Sequence, residues 1–142
     1  MSNPKKPSQT TKIAELTDDL QRTRADFENY RRQVEAQKAH LAESVAEDTV
    51  KKLLPLVDDF DRATKAQPEV MAPLAKNFVK TLQALGLQTI DSQPGTAFNP
   101  ELHFATSVEG DGEAEIIAET LQTGYYYQGN VIRPALVKVK KQ

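Results

Sequence analysis

The residues best suited to chemistry are few. His103 is one of only two histidines, with His40, and there is no cysteine anywhere in the 142 residues. An imidazole works as a general base only beside a nucleophile or an orienting partner, and no nucleophile motif surrounds any Ser. His103 is therefore expected to hydrogen-bond backbone in the turn that opens a C-terminal β-domain, with direct contact to a partner as the alternative. Asp58-Asp59-Phe60-Asp61 concentrates carboxylates, which suit Mg²⁺ or Ca²⁺. On a helix the three point to different faces, with Asp58 placed to meet Arg62 and Asp61 to meet Lys65. The run is read as ion pairs, and no metal is expected. Tyr125-Tyr126-Tyr127 beside Arg133 has the ingredients of a base-stacking platform. Alternation, however, sends Tyr126 to the face opposite its neighbours. The balance of 18 Lys+Arg against 20 Asp+Glu, net -2, also leaves no basic surplus for nucleic acid. Arg31-Arg32 is either a docking patch or a solvated face paired with Glu28 and Glu35. Phe98-Asn99-Pro100 is either an exposed anchor or a turn with Phe98 beneath it. With no nucleophile, metal set or Gly-rich phosphate loop, neither an enzyme nor a cofactor is expected.

The elements that carry these residues differ sharply along the chain. Residues 1–11 are Pro, Ser, Thr, Lys and Asn without apolar periodicity, and disorder is expected there. From residue 12 to 54 there is no Gly or Pro, and Ile13, Leu16, Leu20, Phe27, Tyr30, Val34 and Leu41 recur at heptad steps, with polar Thr23 and Gln37 at the skipped positions. Acid-then-base pairs at i,i+4 (Asp18 with Arg22, Glu28 with Arg32, Glu47 with Lys51, Asp48 with Lys52) support an exposed helix. A helix of about 43 residues would span roughly 64 Å, too long to fold back on so small a chain. Its narrow stripe calls for a second copy. After Leu41, steps of four through Val45, Thr49 and Leu53 raise the period and relax a left-handed supercoil. The weakened seam marks the long helix as the least stable cooperative unit.

Pro55 is expected to kink or end that helix. Across residues 55–86, Leu56, Val57, Phe60 and Ala63 form one short stripe, and Gln67-Pro68 breaks it. Pro73 fits the first turn of the next helix, whose stripe is Leu74, Phe78, Leu82 and Leu85, with Gly86 as the stop. Two such helices per chain would make a four-helix bundle in a dimer. From residue 87 to 142 the period becomes two. Residues 114–121 read as a strand, Gly124 to Ile132 as a hairpin turning at Gln128-Gly129, and 135–140 as the last strand. Gly124 and Gly129 are read as backbone positions needing freedom or closeness. The fold class is α+β: a long N-terminal helix pairing in a parallel dimer, short helices bundling across it, and a small C-terminal β-domain. No apolar run follows the basic N-terminus, so neither a signal peptide nor a membrane span is expected. The absence of cysteine fits a reducing cytoplasm.

The spacing of the β-domain motif is specific. Phe98-Asn99-Pro100 is followed by His103 and Ala105, then Gly124-Tyr125, Gly129, Ile132-Arg133-Pro134-Ala135 and Val137-Lys138-Val139. In order and spacing this resembles the GrpE signature. Ala25-Asp26-Phe27-Glu28-Asn29-Tyr30-Arg31-Arg32 is similar to the family's long-helix motif, and the stretch from Leu53 to Ala63 to its kink-and-bundle motif. Phe104 stands where relatives often carry an acidic or amide residue, and Asn130 where they often carry Arg. Residues 1–11 carry no acidic side chain, unlike the acidic N-terminal extension seen in many members. The resemblance implies a homodimeric, cytoplasmic co-chaperone of the heat and hyperosmotic stress response. Its β-wing would open the nucleotide-binding domain of a DnaK-type chaperone and release ADP, without itself needing to bind ADP or ATP. The contact residues it implies are Arg31, Arg32 and Arg62 on the helices and Phe98, Pro100, His103, Tyr125, Asn130, Arg133 and Val139 on the wing. A coiled-coil adaptor predicts the same stalk and dimer, but not the spacing from Phe98 to Val139.

Overall fold

The computed structural model describes residues 5–142, so part of the expected N-terminal tail, residues 1–4, lies outside the described residues. The chain divides into two compact units, one up to Val45 and one from Ala46 to Gln142. The element order is α1 (Gln9–Ala66), α2 (Pro68–Ala84), β1 (Leu87–Thr89), β2 (His103–Glu109), β3 (Glu115–Gln122), β4 (Tyr125–Tyr127), β5 (Asn130–Arg133) and β6 (Ala135–Lys141). The α+β class follows directly.

Helix α1 begins at Gln9 rather than Lys12, because Ser8 caps it: the Thr11 N–H donates to Ser8 Oγ at 3.3 Å and the Lys12 N–H to the Ser8 carbonyl at 3.0 Å. A serine at the N-cap satisfies amides that would otherwise lack partners. In the first unit the seam residues Ile13, Leu16, Leu20, Phe27, Tyr30 and Leu41 are each 63–70% exposed within the single chain. Asp18 pairs with Arg22 as expected, while Glu28 turns back to Arg24 rather than forward to Arg32, and Arg31 takes Glu35.

Of the two outcomes expected at Pro55, a kink or an end, the end is corrected: α1 continues through it to Ala66. A proline inside a helix costs ~3 kcal/mol or more. On the same turns, Val50, Leu54 and Val57 are buried to 8%, 4% and 4% exposure. Burying one such side chain contributes ~1.5–3 kcal/mol, so packing outweighs the local penalty while Pro55 itself faces solvent. The break does fall at Gln67-Pro68. Helix α2, however, starts with Pro68 in its first turn, and Pro73 lies inside it rather than at its start. Phe60 and Phe78 stack at 3.8 Å between ring centroids, joining α1 to α2. Gly86, at φ +90°, follows the Leu85 C-cap and ends the hairpin of helices.

The β-domain consists of two three-stranded sheets. One has the order β1-β4-β5, all antiparallel; the other has β2-β6-β3, with β6 parallel to β2 and antiparallel to β3. Strand β6 alternates as its sequence predicts: Ala135, Val137 and Val139 are 0–1% exposed, and Lys138 and Lys140 face out. Strands β1 and β2 were not anticipated. Strand β4 separates two cores. Tyr125 and Tyr127 join Leu87 and the α1 residues Val50, Leu54 and Val57. Tyr126 packs on the opposite face with Ile90, Ile117, Ala135, Val137 and Val139. The turn between β4 and β5 has positive φ at both central residues, Gln128 (47°) and Gly129 (85°). That is the signature of a tight type I′ hairpin.

Candidate functional site

The apolar stripe of α1 does not end in solvent. Val50, Leu54 and Val57 lead at helical spacing into Asp58 and Asp61, both half-buried against the β-domain. A carboxylate removed from water needs a partner, and the partner of Asp58 comes from β5. Arg133 donates Nη1 to Asp58 Oδ2 at 2.7 Å and Nη2 to Asp58 Oδ1 at 2.6 Å, with both side chains only 18% exposed. This is the fork-to-fork geometry that gives a guanidinium its directional hold on a carboxylate. Arg133 also donates Nη2 and Nε to the Thr123 carbonyl at 2.7 and 3.2 Å, and its guanidinium carbon lies 5.4 Å from the Tyr125 ring centroid. Gln122 Nε2 adds a bond to Asp58 Oδ2 at 3.1 Å. The expected pairing of Asp58 with Arg62 is therefore corrected; Arg62 takes the exposed Asp59 at 2.9 Å instead.

Asp61 likewise reaches across rather than along the helix: the Tyr125 hydroxyl donates to its Oδ2 at 3.4 Å. Burial pushes the Asp61 carboxyl above the usual aspartate range, and the nearby Asp58 charge adds to the shift. The Tyr125 hydrogen bond and the charges of Lys65 and Arg133 oppose it. Burial also raises the Tyr125 phenol, helped by the charge of Asp61.

His103 has the structural role expected of it. It is 4% exposed at the start of β2. Its Nδ1 accepts from the Asn99 N–H at 3.0 Å, so its Nε2 carries the proton and donates to the Asp91 carbonyl at 2.8 Å. Phe98 is half-buried, 6.0 Å from the His103 ring and packed on the second core, while Pro100 is exposed beside it. With Asp91 and Tyr126 these residues line a groove of about 640 Å³.

The ten sequence-selected contact residues thus fall into separate groups. Arg31 and Arg32 are exposed in the first unit. In the second unit Arg62, Pro100 and Asn130 are exposed, Phe98 and Arg133 half-buried, and His103, Tyr125 and Val139 buried. Val139, at 1% exposure, lies in the core of the single chain. Of the four structural positions, Pro55 and Gly86 are placed above and Gly129 forms the turn. Gly124 is a point of close approach, where a Cβ would stand 2.3 Å from the Ala135 nitrogen. Asp58, Asp61 and Gln122 were missed as a group, since their partners lie 64 and 75 residues away in sequence.

Fold and site together define a class: α+β proteins in which a small two-sheet domain is fastened by an arginine fork to the helices that precede it. The chain belongs to the GrpE family, whose sequence model matches residues 3–141. It is 34% identical to Protein GrpE of Vibrio harveyi over 94% of this chain and 73% of that protein. It is 39% identical to Protein GrpE of Mycolicibacterium paratuberculosis, over 92% of this chain and 58% of the relative. Identity to Protein GrpE of Corynebacterium efficiens is 34%, over 92% and 56%. The chain thus spans little more than half the length of several curated relatives that it matches.

Proposed function

We propose that this protein is a nucleotide-exchange factor for a DnaK-type chaperone, working in the cytoplasm as a homodimer in protein folding and in the heat and hyperosmotic stress response. The observation that carries the proposal is family membership over residues 3–141, which includes the whole β-domain motif. The dimer draws support from the six seam side chains left 63–70% exposed in a lone chain, because a heptad stripe is stable only against a partner. No described helix is long and apolar enough to cross a membrane.

The physical requirement on such a factor is differential affinity. It must bind the open nucleotide cleft better than the closed one, since a ligand shifts an equilibrium only by that difference. Reciprocally, nucleotide in the cleft weakens the factor's grip by the same factor. The chain needs no catalytic residue and no nucleotide site of its own for this. A β-domain with two packed cores presents a preorganised surface and loses little entropy on docking. Exposed Arg62, Pro100 and Asn130, with Phe98 at the groove, are the contacts proposed on the second unit, and Arg31 and Arg32 those on the first. The test is release of labelled ADP from purified chaperone. Acceleration that saturates with added protein is expected; an unchanged rate at saturating protein refutes the reading.

A further inference from the structure

Apolar packing holds the β-domain to α1 without directional bonds. Val50, Leu54 and Val57 meet Leu87, Tyr125 and Tyr127 through aliphatic and aromatic surface, and such contacts are non-directional. The polar links are different in kind. The described hydrogen bonds from side chains of β3, β4 and β5 onto α1 converge on two carboxylates one helical turn apart, Asp58 and Asp61. Arg133 is the strongest of these and is itself fixed in the frame of the β-domain. The Thr123 carbonyl takes its Nε and Nη2, and the Tyr125 ring lies against its guanidinium. A planar fork held on one side can meet a carboxylate with two short bonds in only a narrow range of orientations. At 18% exposure for both partners, salt screens the pair weakly.

We propose that Arg133 is a positioning residue: with Asp58 it sets the angle at which the β-domain stands on α1, and through that angle the apparent affinity for the chaperone. The functional half rests on the exchange-factor reading above; the geometric half does not. Loosening the fork would leave both cores packed while the domain samples several orientations. If only a fraction of molecules then present the docking surface correctly, apparent affinity falls by that fraction. The response of the fully bound complex is untouched.

The absence of cysteine makes the test clean. Spin labels at Lys52→Cys on α1 and Ser107→Cys on β2, both exposed positions, report the distance between helix and sheet in full-length chain diluted into unlabelled protein. Arg133→Lys keeps the charge and removes the fork; Asp58→Asn keeps the shape and removes the charge. Both are expected to broaden the distance distribution, while amide protection of β6 stays as in the parent. Asp59→Asn breaks only the exposed pair with Arg62 and should leave the distribution narrow. In ADP release, the concentration of Arg133→Lys protein giving half-maximal acceleration should rise ~5–10-fold, as for a competent fraction of about a tenth to a fifth, with the plateau retained. A distribution as narrow as the parent's in both variants overturns the proposal, as does a lowered plateau at unchanged half-saturation. Loss of β6 protection in both variants also counts against it, since the fork would then be holding the fold together rather than its angle. If the parent chain fails to accelerate ADP release, the exchange-factor reading fails, and the distance measurement still decides the role of the fork.

Discussion

Replacing Gly124 by alanine tests whether this residue serves closeness rather than flexibility. An added Cβ would stand 2.3 Å from the Ala135 nitrogen, 2.8 Å from the Pro134 carbonyl carbon and 2.9 Å from the Ala135 Cα. All three are backbone atoms, so no side chain can rotate away. Ala135 is fully buried, and its N–H donates to the Leu102 carbonyl at 2.9 Å. Relief of the clash must therefore displace β6 at the point where it enters between β2 and β3. Overpacking costs ~1–3 kcal/mol, and the threatened hydrogen bond contributes ~1 kcal/mol more, so the expected loss is about 2–4 kcal/mol. For a domain of about 60–100 residues this lowers Tm by roughly 10–30 °C. Gly129 provides the contrast. Nothing lies within 4 Å of its virtual Cβ, and only its φ of +85° resists substitution. Gly129→Ala should cost ~1–2 kcal/mol, and Gly129→Asn less, because asparagine tolerates the left-handed region. No side chain should be tolerated at Gly124. Tyrosine fluorescence during urea unfolding reads the domain directly, since three of the four tyrosines lie in β4 and there is no tryptophan. A Gly124→Ala midpoint within error of the parent would refute the steric reasoning.

Three further outcomes are expected. Because the folded Asp61 carboxyl titrates above its ordinary value, the folded state holds its proton more tightly than the unfolded chain. The contribution of Asp61 therefore favours folding at low pH and is lost as pH rises through the folded pKa. Asp61→Asn should match or exceed parental stability at pH 7, with the difference shrinking in urea titrations at acid pH; a large loss at pH 7 contradicts the assignment. Light scattering should give about twice the chain mass, and Leu16→Asp with Leu20→Asp should shift the population toward monomer; an unchanged dimer would place the interface elsewhere. On heating, the helical signal of the first unit, whose seam carries polar Thr23 and Gln37, should fall reversibly before the tyrosine signal. A single coincident transition opposes that order.

The features legible in the sequence were those governed by neighbours. The alternation of β6, the opposed faces of Tyr126 and its neighbours, the break at Gln67-Pro68 and the turn at Gln128-Gly129 all follow from local period or backbone preference, and each is found. Misread features were those in which a distant partner prevailed. The i,i+4 rule assigned Asp58 to Arg62, but a fork from 75 residues away outcompetes an exposed neighbour. Pro55 reads as a kink or a helix end, and the burial of Leu54 and Val57 shows why the helix runs on. Strand β2 escaped notice because its partner is parallel and a register shift between Ala105 and Ser107 breaks the alternation that would reveal it. Motif spacing located Val139 and Tyr125 but could not separate residues that shape the domain from residues on its surface; burial does.

The strand order β2-β6-β3 also makes one sheet depend on its last strand in sequence. Both edge strands pair with β6, so the sheet has no centre until residues 135–141 have been made. Without that strand β2 and β3 lack the neighbour that joins them, and they carry Phe104, Val108 and Leu121, which remain 45–59% exposed even in the finished domain. Unpaired strands with apolar side chains are prone to aggregation. A chain truncated after Gln122 and before Ala135 would therefore carry β2 and β3 without the strand that joins them.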